Sequence, residues 1–331
     1  MIRVGIIGLG EIGQYHLPAL RVARGAELVA VCDLDRALAE RSAAGACAAY
    51  DDLEAMLSSA ALDLLDVCLP HHLHRPVALR AIDAGCHVLL EKPMAISVAE
   101  CDEIAAAAER AGRLVAISHN QLHYEPHRRL SALIEAGALG ELRMLRARLA
   151  IGGRYGAWRS DPAKAGGGLL IDAGAHRLYL LRALGGPVHA VSAMMDDPGS
   201  EERLVVTLEF ASGALGVIDA AYGAPDGVVD DRVEAMGSRA LAEVRGCEAL
   251  FEGFAANDAP LLRLWSGGAW VDDPARGSWD DSVRASVRAA VEAIAHGERP
   301  PQGPAEGREV LALVEAAYGS ARAGERVVLG G

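Results

Sequence analysis

The sequence predicts an α/β chain: a parallel-sheet domain at the N-terminus, then an α+β domain with an open, mainly antiparallel sheet. Three observations predict it: a glycine-punctuated strand, turn and helix within the first 22 residues; short apolar strands alternating with helical segments to about residue 120; and longer alternating strands beyond residue 141. A length of 331 residues leaves room for two cores, because single cores stop growing at roughly 250–300 residues.

Ile2–Ile7 is an apolar, β-branched run that stops at glycines, and helix-compatible sequence follows over 11–22. The alternation then recurs. Strands are expected near 27–32, 64–69 and 87–90, with helices near 36–44 and 75–84 between them. Ser97 with Glu100 three residues later is a capping box opening an alanine-rich helix to about Arg110, and 113–117 reads as a further strand. Strands spaced by helices imply βαβ units and a parallel sheet. The first domain is therefore expected over 1–120 and the second over 121–331.

In the second part the strands LRMLRARLAI, VHAVSAMM, RLVVTLEF and GALGVIDAAY alternate apolar and polar residues, which suits a sheet covered on one face only. Arg203–Phe210 and 214–222 flank Ser212-Gly213, a hairpin signal. Two amphipathic helices, near 281–296 and 305–323, close the chain with Pro300, Pro301 and Pro304 between them, and are expected to pack on one of the domains.

Composition narrows the function classes. With 51% hydrophobic and 23% charged residues the chain is expected to be an ordinary soluble globular protein. A formal net charge of −13 without a basic stretch argues against a nucleic-acid partner, so an anionic cofactor has to be held by local backbone dipoles. No run approaches a membrane span, and the glycine-broken start does not read as a signal peptide. The six cysteines, Cys32, Cys47, Cys68, Cys86, Cys101 and Cys247, form no C-x-x-C pair and read as reduced thiols of a cytoplasmic protein.

Gly8-Leu9-Gly10-Glu11-Ile12-Gly13 follows the first strand and opens the first helix. Gly8 permits the tight turn, Gly10 lets backbone approach a pyrophosphate and Gly13 allows close helix packing, with Glu11 and Ile12 in the same phosphate-facing turn. Asp33 lies about 20 residues on, after the second strand, where a carboxylate binds the adenosine ribose hydroxyls and repels a 2′-phosphate. This is a Rossmann dinucleotide site favouring NAD, with NADP left open by the nearby Arg36.

With three further blocks the chain resembles the glucose-fructose oxidoreductase, inositol dehydrogenase and rhizopine-catabolism family (Gfo/Idh/MocA) over essentially its whole length. They are Leu69-Pro70-His71-His72-Leu73-His74, Glu91-Lys92-Pro93, and the run from Gly166 to His176, GGGLLIDAGAH. The resemblance implies hydride exchange between nicotinamide and a carbinol carbon of a sugar, an inositol or a related polyol, with Lys92, Asp172 and His176 around the reacting oxygen. It also implies that Pro70, His71, His74 and Glu91 border the cofactor, that the Lys92-Pro93 bond is cis, and that the second sheet's face assembles dimers or tetramers.

The residue types suit that chemistry. An imidazole, ordinarily titrating at about 6.5, can take or return a hydroxyl proton near neutrality, which makes His176 the general acid/base. The Lys92 ammonium stabilises developing alkoxide charge and relays the proton. Asp172, four residues before His176, shares its face if the segment is helical, and either binds a substrate hydroxyl or orients the imidazole. Two departures from the family pattern stand out: Tyr179 occupies the usual acidic position three after the histidine, and Leu69 and His71 replace Thr and Asn.

Asn120, Tyr155, Trp158 and Arg159 are candidate substrate contacts along with Tyr179, each also readable as packing; Trp265, Trp270 and Trp279 are assigned to packing. A metal site at His71, His72 and His74 lacks accompanying ligands, and no metal is expected. Two other functions fit the fold. One is a ligand sensor or scaffold that kept the dinucleotide site without catalysis, against which Lys92, Asp172 and His176 count. The other is a lyase or glycosidase using transient oxidation on bound NAD.

Overall fold

A computed structural model describes residues 1–153, 156–246 and 259–330; Tyr155 and Cys247 lie outside these described residues. The chain divides into two compact units, one of residues 1–119 and 283–311, the other of 120–282 and 312–331.

The first unit is built on a six-stranded parallel sheet of β1 (Ile2–Ile7), β2 (Ala26–Cys32), β3 (Ala48–Tyr50), β4 (Leu64–Val67), β5 (His87–Glu91) and β6 (Val115–Ser118). Its order, β3-β2-β1-β4-β5-β6, reverses between β1 and β4, the switch point where ligands of such sheets bind at the carboxyl ends of the strands. The crossovers carry α1 (Glu11–Leu20), α2 (Arg36–Ala43), α3 (Leu53–Ser59), α4 (His74–Asp83) and α5 (Val98–Ala111). The central strands are apolar because both faces are covered: Val4, Ile6, Leu64, Leu65, Val88 and Leu89 are fully buried. The Ser97 hydroxyl accepts from the Glu100 N–H at 3.3 Å, closing the expected cap of α5. Strand β3 and helix α3 were not legible in the alternation: a three-residue edge strand has no periodicity to read.

The second unit holds α6 (Glu125–Glu135), β7 (Leu142–Gly152), α7 (Pro162–Ala165), α8 (Ala175–Gly185), β8 (Val188–Met195), β9 (Arg203–Phe210), β10 (Leu215–Ala224), β11 (Val229–Gly237), β12 (Leu241–Arg245), β13 (Leu262–Ser266) and β14 (Ala269–Asp273). Helices α9 (Trp279–Ala295) and α10 (Pro304–Ala323) and the short β15 (Val327–Val328) follow. The nine strands run β14-β13-β12-β11-β7-β10-β9-β8-β15, antiparallel throughout except for the parallel pair β7/β10. Alternation sorts the faces. Leu145, Ala147 and Leu149 of β7 and Gly216, Ile218 and Ala220 of β10 point to the covered side, on which α8 packs, and Arg146, Arg148, Val217 and Asp219 to the open one.

The β9–β10 hairpin turns at Ser212-Gly213, with Gly213 at φ +87°. A second hairpin, β13–β14, turns on Gly267-Gly268, both at positive φ, as a two-residue primed turn demands. Across it Trp265 and Trp270 meet edge to face at 5.8 Å, with Arg263 stacked over Trp270 at 4.4 Å. Their packing role is thus cross-strand, on a partly open surface.

Candidate active site

In the first unit the glycine loop has the shape its residues predict. Gly8 lies at φ +89°, and a Cβ there would collide with the Cys68 carbonyl; a Cβ on Gly13 would strike the Gly8 carbonyl. Gly10 instead faces open space and is exposed at the N-cap of α1, where no side chain caps the free N–H groups. That is the arrangement an incoming pyrophosphate needs. Glu11 and Ile12 follow in the first turn. Asp33, just past β2, accepts the Leu9 N–H at 2.8 Å through Oδ2 and the Asp35 N–H at 2.9 Å through Oδ1, which fixes its carboxylate beside the loop. Arg36 is drawn away to Glu40 at 2.9 Å and Asp51 at 3.7 Å.

The Leu69–His74 segment is tied to the Lys92 turn. His74 is fully buried, with Nδ1 2.8 Å from the Pro93 carbonyl and Nε2 2.8 Å from that of Leu69, and burial lowers its pKa against these bonds. Pro70 caps the short helix of His71–Leu73, and buried His71 meets His74 edge to face at 5.8 Å. His74 therefore builds the loop rather than facing outward. The Lys92-Pro93 bond is cis, as the family pattern implied.

Glu91 ends β5 with its carboxylate enclosed. It receives the Lys92 backbone N–H at Oε2, 3.1 Å, and lies 3.0 Å from His16 Nε2 at Oε1; His16 Nδ1 in turn lies 2.8 Å from Asp66 Oδ2. Burial pushes the Glu91 carboxyl up, but His16 outweighs it, with help from Lys92 and Ser118, and holds it at about 2. Burial likewise lowers His16, but the carboxylate of Asp66 leads the effects that more than reverse it, so the imidazole stays charged well above its ordinary range. Neither His16 nor Asp66 was singled out from the sequence. The available signal was a carboxylate in the middle of the otherwise apolar strand LLDV, which needs a partner when buried.

In the second unit the GGG run is shaped by crowding. A Cβ on Gly167 would strike the Tyr318 hydroxyl, and one on Gly168 the backbone of Glu201. Glu201, 1% exposed, accepts the Leu170 N–H at 2.7 Å and the Tyr318 O–H at 3.0 Å on Oε1, and the Gly199 N–H at 2.9 Å on Oε2. It caps a π-helical turn, Leu170–Gly174, that carries Asp172 and runs into α8 with His176 near its start. The segment is helical, as the shared-face expectation required. Asp172 is buried, with Oδ2 3.5 Å from both the Tyr222 hydroxyl and Arg159 Nε, while His176 is half-buried. Arg159 stacks on Trp158 at 4.7 Å. Arg177, one residue past His176, forms an ion pair with Asp231 at 2.8 Å, both 2% exposed, which pins α8 to β11.

Asn120 is buried, donating to Ser282 Oγ at 2.8 Å, and Tyr179 is buried on α8. Tyr222, Glu201 and Asp231 come from strands or turns distant in sequence, and no local pattern announced them.

Residues 2–119 match the model described as "Oxidoreductase family, NAD-binding Rossmann fold", and residues 127–243 match the "GFO/IDH/MocA C-terminal domain". The chain is 28% identical to D-apiose dehydrogenase of Paraburkholderia graminis over 98% of this chain and 88% of that one. It is 29% identical to myo-inositol 2-dehydrogenase of Thermotoga maritima over 72% and 73%. Among solved structures, GenD2 from gentamicin A biosynthesis in complex with NAD superposes with a TM-score of 0.85 at 27% identity, covering 100% of this chain and 97% of that one.

Proposed function

We propose that this chain, which belongs to the Gfo/Idh/MocA family of NAD-binding oxidoreductases, transfers hydride between nicotinamide and a carbinol or keto carbon of a sugar, an inositol or a related polyol. The observation that carries the reading is Asp172: a buried carboxylate flanked by the Tyr222 hydroxyl and the Arg159 guanidinium, four residues before His176. Such a group of donors and acceptors suits a substrate made of hydroxyls. The activities for which the D-apiose and myo-inositol relatives are named point the same way.

Bound NAD supplies the hydride acceptor, and Gly8, Gly10, Glu11, Ile12, Gly13 and Asp33 would hold its adenosine and pyrophosphate. Pro70, His71, His74 and Glu91 would shape the nicotinamide end. His176 would take the hydroxyl proton in oxidation and return it in reduction, Lys92 would stabilise the developing alkoxide, and Asp172 would bind a neighbouring hydroxyl or orient His176. Asn120, Trp158, Arg159 and Tyr179 would select among substrates; Asn120 and Tyr179, being buried, would do so by shaping the wall.

The test is NAD reduction across a panel of aldoses, inositols and deoxy- or amino-sugars, with Lys92→Ala and His176→Ala as controls. Turnover lost by about two or more orders of magnitude in both variants is expected. Cofactor binding without turnover on any panel member overturns it in favour of a sensor. For assembly, we propose a homodimer or homotetramer built on the open face of the second sheet, supported by its exposed Met194, Val205, Leu215 and Met236.

A further inference from the structure

We propose that His16, bridging Asp66 and Glu91, is a positioning residue that ties the nucleotide-binding helix to Lys92. The inference rests on the reading that Lys92 serves the hydride transfer. His16 sits on the buried face of α1, the helix whose first turn forms the glycine loop. Its two ring nitrogens reach the middle of β4 and the end of β5, at 2.8 and 3.0 Å. The second oxygen of Glu91 then accepts the Lys92 backbone N–H. One imidazole thus links the cofactor helix, two sheet strands and the peptide of the catalytic lysine.

The charge state follows from the partners. A neutral imidazole has one N–H and one lone pair, so one of the two carboxylates would face a lone pair at hydrogen-bond distance in a buried site. An imidazolium donates to both. Among the described residues, other titratable groups that act on Glu91 include Lys92, His74, His119 and Cys68. Burial pushes His119 down to about 3, so that ring is neutral, and lowers His74 against its bonds to the Leu69 and Pro93 carbonyls; burial and Asp66 push the Cys68 thiol up to about 12, so it is neutral too. Among these groups, His16 and Lys92 supply the positive charge that keeps Glu91 ionised. Cys68, as a thiol, is also a poor ligand for any ion beside His16 and Asp66.

Without His16, only Lys92 and Ser118 oppose burial, and the Glu91 carboxyl is pushed up toward the working pH range. Its Oε2 then holds the Lys92 N–H weakly, and the lysine loses its fixed peptide. A group that only filled space would not make the loss depend on pH.

The first measurement is the 15N NMR signature of the His16 ring in the full chain without cofactor. Both nitrogens protonated near pH 7 are expected, and a neutral tautomer there overturns the proposal. The second is the pH profile of kcat for His16→Gln on whichever panel sugar turns over. A loss of about tenfold near pH 6 that shrinks to within about twofold near pH 9, with KM for NAD within about threefold of wild type, is expected. A profile parallel to wild type overturns it. Should His16→Gln not fold, Glu91→Gln keeps the shape and removes the charge: a kcat loss that does not vary with pH is expected, and unchanged kcat overturns the proposal. Lys92→Ala separates the two readings. If it turns over like wild type, the role of Lys92 fails while the NMR result still stands; if it is dead and His16→Gln titrates like wild type, only the positioning role fails.

Discussion

We propose that Asp33 discriminates between the two nicotinamide cofactors by one charge. Each of its oxygens already accepts one backbone N–H and keeps a second acceptor position, which a ribose hydroxyl can fill and a phosphate cannot. At about 4 Å two like charges repel by roughly 4 kcal/mol in a partly screened site. Arg36, a nearby cation that could have offset this, is engaged by Glu40 and Asp51. Asp33→Ser is therefore expected to raise KM for NAD by about tenfold and to narrow the NAD over NADP preference by about a hundredfold, read from kcat/KM with each cofactor. A preference left intact would place discrimination elsewhere. The motif around Asp33 was legible because it is local: six residues of loop and a carboxylate about 20 residues on. The His16–Asp66–Glu91 cluster was not, because it joins a helix and two strands whose side chains meet only after the sheet has formed.

At the scale of the element, two carboxylates with opposite shifts illustrate how the framework responds to pH and to substitution. Glu91 has a folded pKa of about 2 against an ordinary 4.5, so its contribution is present above about pH 4.5 and is lost as pH falls toward about 2. The shift corresponds to roughly 3 kcal/mol. His16 is shifted upward, so its contribution is complete below about pH 6.5 and is lost as pH rises through its raised folded value. Denaturant midpoints should thus be highest between about pH 5 and about pH 6.5 and fall on both sides, on the acid side as Glu91 is protonated and on the alkaline side as His16 loses its proton; a midpoint flat down to about pH 3 would contradict the charged bridge. Glu201 shows the reverse shift: burial raises its carboxyl despite the three N–H and O–H donors it accepts. Its work is steric as much as electrostatic, since Gly168 lies against its backbone. Gly168→Ala is expected to cost about 1–3 kcal/mol by overpacking and to lower kcat by displacing Asp172, checked by denaturant titration alongside kinetics. The GGG run was legible as a pattern, but its reason was not: what crowds it, Glu201 and Tyr318, comes from positions 33 and 150 residues away.

For the whole molecule, the alternating strands told which face of the second sheet is open, and the hairpin at Ser212-Gly213 fixed one register. The strands after residue 224 were missed because VDDRVEAMG and AWVDD carry too many charges to read as strands until their neighbours pair with them. Those charges also bear on assembly. On the open face Arg146 and Arg148 already bind Asp219 at 3.1 and 2.8 Å, and Arg232 binds Asp230 at 2.6 Å, so much of the charge is neutralised within one chain. What remains to be covered is apolar: Val205 and Leu215, beside half-exposed Val217. Two copies meeting through this face would place the same patch against itself, so a single substitution acts twice. Light scattering should return two or four times the 34.6 kDa chain mass. The assembly should persist to about 1 M salt, because apolar burial strengthens or holds where exposed ion pairs are screened. Val217→Asp should reduce it to the single chain while leaving the near-neutral charge ladder in place. If the wild-type chain is monomeric, the proposed assembly is wrong; if it is oligomeric but dissociates at high salt, the arginines must instead pair across the interface.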